Sequence, residues 1–224
     1  MIFTVAVDGP AASGKGTISR KISEYFGFSY LDTGMIYRYI GSKVLTGVDP
    51  YIALSNLNYD NFESDSLRTE AVSQAASKIA ADPMIREGLI SYQRLFSQKN
   101  GGAVLDGRDI GTVICPNADV KFYVTASENV RATRRFNELS LIDKSVTYEG
   151  LLEKIRQRDK ADMNRNVSPL SQARDAVLLD TTELSIDASV ELAIDIVSKA
   201  LFCLLYTSDA ADEGLGVDLG GRRI

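Results

Sequence analysis

A glycine-rich loop between a short apolar run and a helical pattern constrains this chain more than any other feature of its sequence. Ile2–Val7 is apolar and rich in β-branched residues, and Lys15–Phe26 carries apolar residues at helical spacing. Between them, Gly9–Thr17 reads GPAASGKGT, which fits the pattern GxxxxGK. A strand before this motif and a helix after it distinguish a phosphate-binding loop from a chance match or a turn that binds nothing. The sequence therefore predicts that main-chain amides and a helix N-terminus hold phosphate oxygens here.

The loop departs from its commonest form at the residue after the lysine. Gly16 stands where Ser or Thr usually supplies a hydroxyl to Mg²⁺, and Thr17 follows it. We expect Lys15 to place its charge near the β- and γ-phosphates, and Thr17 to bind phosphate or to hold Mg²⁺ through a water. The predicted ATP-binding residues of the loop are Gly9, Pro10, Ala11, Ala12, Ser13, Gly14, Lys15, Gly16 and Thr17.

Five short apolar runs alternate with helical patterns along the chain. The predicted strands are Ile2–Val7, Phe28–Tyr30, Ala103–Leu105, Val120–Val124 and Val177–Leu179. The predicted helices after the first are one that contains Tyr37 and is capped at Asp32-Thr33-Gly34, then Ser66–Ala81, Met84–Gln98, Ser127–Leu139, Tyr148–Ala161 and Val190–Leu201. Such alternation predicts an α/β fold with a mainly parallel sheet. Ligands of these sheets bind beyond the carboxyl ends of the strands, where Asp8 and Asp106 both fall, so we expect their motifs to share one cleft.

Charge and composition exclude several other classes of protein. The chain has 25 Lys and Arg against 30 Asp and Glu, a net charge of −5, which disfavours a nucleic-acid binder. It has no histidine, so the expected chemistry relies on carboxylates, arginines, lysines and backbone dipoles. Two cysteines without a pairing pattern indicate a reducing compartment, for which we predict the cytoplasm. No apolar run approaches the ~18 residues of a membrane span, so we expect no membrane association.

Charged residues at three further places are candidates for catalysis. Asp106 ends a predicted strand, where it can orient the water shell of Mg²⁺, although a turn-capping role is an alternative. Arg131, Arg134 and Arg135 share one face of a predicted helix and could neutralise charge in phosphoryl transfer, although a solvated basic face is the commoner outcome.

The next predicted helix carries a second charged face. Arg158, Asp162 and Arg165 are spaced to lie together, and they could clamp a phosphate and a ribose or form only a weak surface salt bridge. Two arginine-rich helices joined by the polar segment Ser140–Thr147 favour a lid that closes over a nucleotide. Tyr37, Arg38 and Arg86 carry no such signal when each is taken alone.

Four ordered segments resemble the bacterial-type cytidylate kinases, a family of P-loop nucleoside monophosphate kinases. They are VDGPAASGKGT, LDTGMIYR, VLDGRDIGTVICPNADVKFYVTAS and RDKADMNRNVSPL, and the resemblance runs from Val5 to about Leu201. It implies a three-layer P-loop kinase fold with a central five-stranded parallel sheet, an acceptor-binding segment at about 33–99 and a lid at about 131–165. It implies ATP and Mg²⁺ as cofactors, CMP or dCMP as the acceptor, and a monomer.

The resemblance also implies roles for residues of the matching motifs. Those implied to read the cytosine edge are Thr33, Ser77, Arg86 and Asp109. Those implied to hold the acceptor phosphate are Tyr37, Arg38, Arg108 and Arg165, and those implied to hold the sugar are Arg158 and Asp162. Arg131, Arg134 and Arg135 would be lid arginines on ATP, and the predicted catalytic set is Lys15, Arg131, Arg135 and Arg158.

Two parts of the chain depart from the family pattern. The segment Val48–Leu67 is shorter and more polar than the family's insert of small strands, and we expect no strand pair there. After Phe202 the helical periodicity ends, and Cys203–Glu213 resembles a translated sequencing adapter. We therefore predict a single domain over residues 1–202 and a non-native or disordered tail over residues 203–224.

Two other functions stay open at this stage. The first is another small-molecule P-loop kinase, for dephospho-coenzyme A, shikimate, thymidylate or adenylate, against which the motifs LDTGxxYR and DGRD weigh. The second is a nucleotide-binding regulatory protein without turnover. The sequence GKGT and the lack of an NKxD-type motif argue against it.

Overall fold

Five strands form one parallel sheet in the order β2-β3-β1-β4-β5. The structure, a computed structural model, describes residues 1–57, 65–141 and 143–214, and it describes their side chains except at 65, 68 and 205–214. The strands are β1 (Thr4–Asp8), β2 (Ser29–Asp32), β3 (Ala103–Gly107), β4 (Val120–Thr125) and β5 (Val177–Asp180). The predicted α/β fold with a central five-stranded parallel sheet is confirmed.

Eight helices connect and flank these strands in the described part of the chain. They are α1 (Lys15–Phe26), α2 (Thr33–Leu45), α3 (Pro50–Ser55), α4 (Glu70–Ile79), α5 (Pro83–Ser97), α6 (Glu128–Leu139), α7 (Tyr148–Asn164) and α8 (Ile186–Gly214). A short 3₁₀ turn spans Asp65–Arg68, and one turn of π-helix spans Ile110–Ile114 directly after β3. Asp32 caps α2 by accepting a hydrogen bond from the Met35 amide at 3.2 Å, as the sequence predicts.

The sheet separates two apolar cores, which gives the fold its three layers. Successive residues of β1 point to opposite faces, so Ala6 packs with residues of α2, α4 and α5. Phe3, Val5 and Val7 pack on the other face, with residues of α1 and α8. The central strands are therefore buried on both sides, which explains why most of their residues are apolar.

The structure differs from the sequence-based expectation in two helical segments. Helix α3 was not predicted, although Asp49 caps it by accepting from the Tyr51 and Ile52 amides and Pro50 occupies its first turn. Helix α8 begins before the predicted residue and continues beyond Leu201 to Gly214, because no Pro or Gly interrupts it earlier.

Other expectations for these regions are tested only in part. The expected lack of a strand pair in Val48–Leu67 falls partly on residues 58–64, which lie outside the described residues. The nature of the tail over residues 203–224 stays a prediction. Among the described helices, none combines the length and the apolar character needed to cross a membrane.

Candidate active site

The phosphate-binding loop connects β1 to α1 at the carboxyl edge of the sheet. Gly9 has φ +152°, and a Cβ atom there would lie 1.9 Å from the carbonyl oxygen of Val124. The loop therefore packs directly against the end of β4, which a residue with a side chain at position 9 would prevent. Helix α1 then begins at Lys15, so its unpaired amides face the same edge of the sheet.

Lys15 lies among two carboxylates and two guanidinium groups. Burial and the charge of Arg108 lower its pKa, whereas Asp106 and Asp32 oppose that shift. Burial and the neighbouring charge of Asp32 raise the pKa of Asp106. Asp32 and Asp106 are register partners at the ends of β2 and β3. Additional negative charge in the site, such as phosphate, would therefore stabilise the charged form of Lys15.

A buried ion pair forms the far side of the same cleft. Arg86 on α5 pairs with Asp109, and the two side chains are 3% and 8% exposed. A second cation, Arg165, lies with its Nη2 3.6 Å from the Asp109 Oδ1 atom. The Arg86 guanidinium also lies 5.8 Å from the centre of the Tyr37 ring. This cluster offers a carboxylate and guanidinium groups to the edge of a bound ring.

Guanidinium groups from α7 and from the residue that follows β3 meet in the same cleft. The Arg108 Nε atom donates to Asp162 Oδ2 at 2.9 Å, and Arg158 Nε lies 3.9 Å from the same oxygen. Burial alone would raise the pKa of Asp162, but Arg108 and Arg158 outweigh it and lower that pKa. Burial and the charge of Arg108 lower the pKa of Arg158 to about 10. Positive charge is therefore concentrated here beyond what Asp162 balances.

Three arginines of the cleft keep buried donors without a hydrogen-bond partner. Among the described residues, Arg86 Nε, Arg158 Nε and Arg165 Nη2 make no hydrogen bond, although all three atoms are shielded from solvent. Buried donors in native proteins are nearly always paired, so such atoms at the wall of a cleft indicate a place for a ligand oxygen.

Helix α6 connects the phosphate-binding loop to the end of β5. Arg134 donates to the carbonyl oxygens of Ser13 at 3.3 Å and of Thr181 at 2.8 Å. The Thr181 hydroxyl itself donates to Ser13 at 3.0 Å. Arg131, by contrast, is buried beside the loop, where it bonds the Ala11 carbonyl at 3.3 Å and Asp159 at 2.6 Å.

One cleft of about 900 Å³ brings most of the predicted site residues together, near the upper end of the ~300–1,000 Å³ range of ligand pockets. Its lining includes the predicted residues Ala11, Ala12, Ser13, Gly14, Lys15, Gly16, Thr17, Thr33, Tyr37, Arg38, Ser77, Arg86, Asp106, Arg108, Asp109, Arg134, Arg135, Arg158, Asp162 and Arg165. Gly9, Pro10 and Arg131 are not part of that lining. The roles assigned to all of these residues stay predictions.

Comparison with known proteins identifies the family to which this chain belongs. The sequence model of the family described as cytidylate kinase matches residues 5–199. The chain belongs to the cytidylate kinase family. A cytidylate kinase of Cereibacter sphaeroides is 51% identical over 197 residues, which cover 88% of this chain and 96% of that relative. One of Azorhizobium caulinodans is 47% identical over 202 residues, covering 88% and 98%.

Solved structures support the fold of this cytidylate kinase family member at much lower identity. A gluconokinase from Sinorhizobium meliloti superposes with a TM-score of 0.51 at 13% identity, covering 92% of this chain and 98% of the other. At that identity the similarity concerns the fold alone.

In this cytidylate kinase family member, two polar residues that contact the site could not be identified from the sequence motifs. Tyr30 donates its hydroxyl to Asp106 Oδ2 at 3.0 Å. Thr181 follows β5 and links the loop to Arg134. Thr181 directly follows the carboxyl end of β5, a position that could have identified it, whereas Tyr30 lies within β2 and carries no such signal.

Proposed function

We propose that this chain transfers the γ-phosphoryl group of ATP to CMP or dCMP, giving ADP and CDP or dCDP. The observation that carries the proposal is the single cleft in which Lys15 and the unpartnered buried donors of Arg158 and Arg165 converge. Two polyanions need such a concentration of guanidinium groups and backbone amides to come together. Membership of the cytidylate kinase family supports CMP as the acceptor.

The two ends of the cleft suit two different nucleotides. The loop and Lys15 suit the triphosphate of ATP, because amides, a helix N-terminus and an ammonium group surround it. Arg86 and Asp109 suit cytosine, whose amino group and ring acceptors match a carboxylate and a guanidinium group. Arg108 and Arg165 would hold the acceptor phosphate, which would meet the γ-phosphate between these ends.

Positioning and charge neutralisation carry the transfer in this proposal. The acceptor phosphate is already an anionic nucleophile, so in-line attack on the γ-phosphorus requires no general base. Lys15 and the converging arginines, among them Arg135 and Arg158, would stabilise the charge spread over the transferred group. The monomeric state that the family resemblance implies is part of the proposal.

The residues beside the loop also fit Mg²⁺. This ion prefers oxygen ligands and usually keeps several waters, which carboxylates and phosphates then hold. A Cβ atom at Gly16 would lie 3.2 Å from Asp106 Oδ2, so the carboxylate lies directly against the loop next to Thr17. Asp106 and Thr17 would hold the ion through water, and the bound ion would neutralise charge on the phosphates.

A coupled ADP-release assay with CMP, dCMP, UMP and AMP offered separately tests the proposal. We expect CMP or dCMP to give the highest kcat/KM, and a better acceptor among the others would overturn the assignment. The variant Lys15→Ala should lose orders of magnitude in turnover while it remains folded. Lys199→Ala, which removes an exposed lysine of α8 paired with Asp195, should keep the activity.

A further inference from the structure

Asp8 links the phosphate-binding loop to the turn that carries the acceptor-site residues. It is the last residue of β1 and precedes Gly9, the first residue of the loop. In the sheet it lies opposite Gly107, which directly precedes Arg108 and Asp109. Asp8 is thus adjacent in sequence to the ATP side of the cleft and adjacent in space to the acceptor side.

Both carboxylate oxygens of Asp8 accept hydrogen bonds from the main chain after Asp109. Oδ1 accepts from the Ile110 amide at 2.8 Å, and Oδ2 accepts from the Gly111 amide at 2.7 Å. The Asp8 residue is 4% exposed. Although burial raises its pKa to about 6, the two amides oppose that shift, so the carboxylate remains largely ionised at neutral pH.

These amides begin the π-helical turn Ile110–Ile114, for which Asp109 occupies the N-cap position. An Asp at that position usually caps its own helix through its side chain, but Asp109 makes no such hydrogen bond. Its carboxylate instead pairs with Arg86 and lies 3.6 Å from Arg165. Asp8 supplies the cap from another strand, which leaves the Asp109 side chain to face the cleft.

Gly111 provides an independent observation that this contact is built into the fold. A Cβ atom at that position would lie 3.3 Å from Asp8 Oδ2 and 3.2 Å from Lys121 Cδ. Because Gly111 has no side chain, the Asp8 carboxylate can reach both amides. Beside it, Lys121 donates to the Pro116 carbonyl at 2.5 Å and holds the other end of the same segment.

We propose that Asp8 is a positioning residue of the acceptor site, because it caps the Ile110 and Gly111 amides in place of Asp109 and thereby keeps the Asp109 carboxylate available to the acceptor base. The proposal deepens the proposed function and rests on it for the identity of the acceptor. It concerns a residue outside the lining of the cleft.

The variant Asp8→Asn tests the proposal with little change in volume. A carboxamide offers one acceptor oxygen, and its NH₂ group would meet the second amide, so one of the two hydrogen bonds must be lost. We expect the Kd for CMP, measured by isothermal titration calorimetry, to rise about tenfold or more, which corresponds to about 1.4 kcal/mol. The Kd for ATP should stay within about twofold, because the loop retains its own glycines and Lys15.

Asp119→Asn is a matched control at the opposite end of β1. Asp119 Oδ2 accepts a hydrogen bond from the Thr4 amide at 2.7 Å, so this variant perturbs a similar tie between an acid and a backbone amide, far from the cleft. We expect it to lower the unfolding midpoint without changing the Kd of CMP. If Asp8→Asn fails to fold, Gly111→Ala displaces the same carboxylate by a few tenths of an ångström and should weaken CMP in the same selective way.

Three outcomes would overturn the proposal. These are an unchanged Kd for CMP in Asp8→Asn, an equal loss of ATP and CMP affinity, and an equal loss of CMP affinity in Asp119→Asn. Wild-type protein that binds CMP without turnover would instead refute the proposed function, and the binding comparison would still decide the role of Asp8.

Discussion

Replacing Arg86 by methionine measures how strongly the acceptor side of the cleft depends on its buried ion pair. The variant leaves the Asp109 carboxylate 8% exposed, with Arg165 at 3.6 Å as the remaining cation of the cluster. Removing one partner of a buried pair costs about 3–5 kcal/mol. We expect the lower end of that range, because Arg165 compensates in part. For a chain of this size 1 kcal/mol corresponds to ~2–4 °C, so the unfolding midpoint should fall by about 6–12 °C.

Thermal unfolding followed by far-UV circular dichroism suits this chain, which has no tryptophan. Arg156→Met is the matched control, because Arg156 pairs with Glu128 at 2.8 Å on the surface. This variant should have the same unfolding midpoint as the wild type. The double variant Arg86→Met/Asp109→Leu removes the orphaned charge, so it should recover most of the stability but not the binding of CMP. A midpoint for Arg86→Met within error of Arg156→Met would refute the reasoning.

Three further predictions concern the loop, its lysine and the C-terminal segment. Gly9→Ala should lose ATP affinity at least about tenfold, because its Cβ would clash with the Val124 carbonyl. Gly27→Ala should keep its ATP affinity, because nothing lies within 4 Å of a Cβ at that position. Equal Kd values of the two variants for ATP would contradict the packing argument. Burial lowers the pKa of Lys15 in the free site, so ATP binding at pH 8 should raise that pKa and take up protons. Calorimetry in buffers of different ionisation enthalpy should detect this uptake in the wild type and not in Lys15→Met. Binding heats of the wild type that are the same in every buffer would refute the prediction. Deleting the residues after Phe202 should leave kcat and KM unchanged, whereas loss of folding would show that this segment supports the domain.

The strands and the phosphate-binding loop could be predicted from the sequence because their signals are local. The central strands are buried on both faces, so most of their residues are apolar, and the order of strand, glycine loop and helix is visible within Ile2–Phe26. The parallel sheet then follows from the alternation of elements. That topology brings Asp8 and Asp106 to one edge, which is why the shared cleft could also be predicted.

Side-chain direction could not be predicted in the same way. The spacing of Arg131, Arg134 and Arg135 indicates a common helix face, yet Arg131 is held behind the loop by Asp159 while Arg134 lines the cleft. The partner that decides this comes from α7, 28 residues away in sequence. The cap that Asp8 provides to the π-helical turn depends likewise on a contact between residues 102 positions apart.

A single bound compound would test most directly whether one cleft holds both nucleotides. In a bisubstrate analogue, adenosine and cytidine are joined through five phosphate groups, so both ends must fit at once. The account predicts that one molecule binds per chain, displaces both ATP and CMP, and binds about 10²-fold or more tightly than ATP alone. Displacement of only one of the two nucleotides, or binding of two analogue molecules per chain, would contradict it.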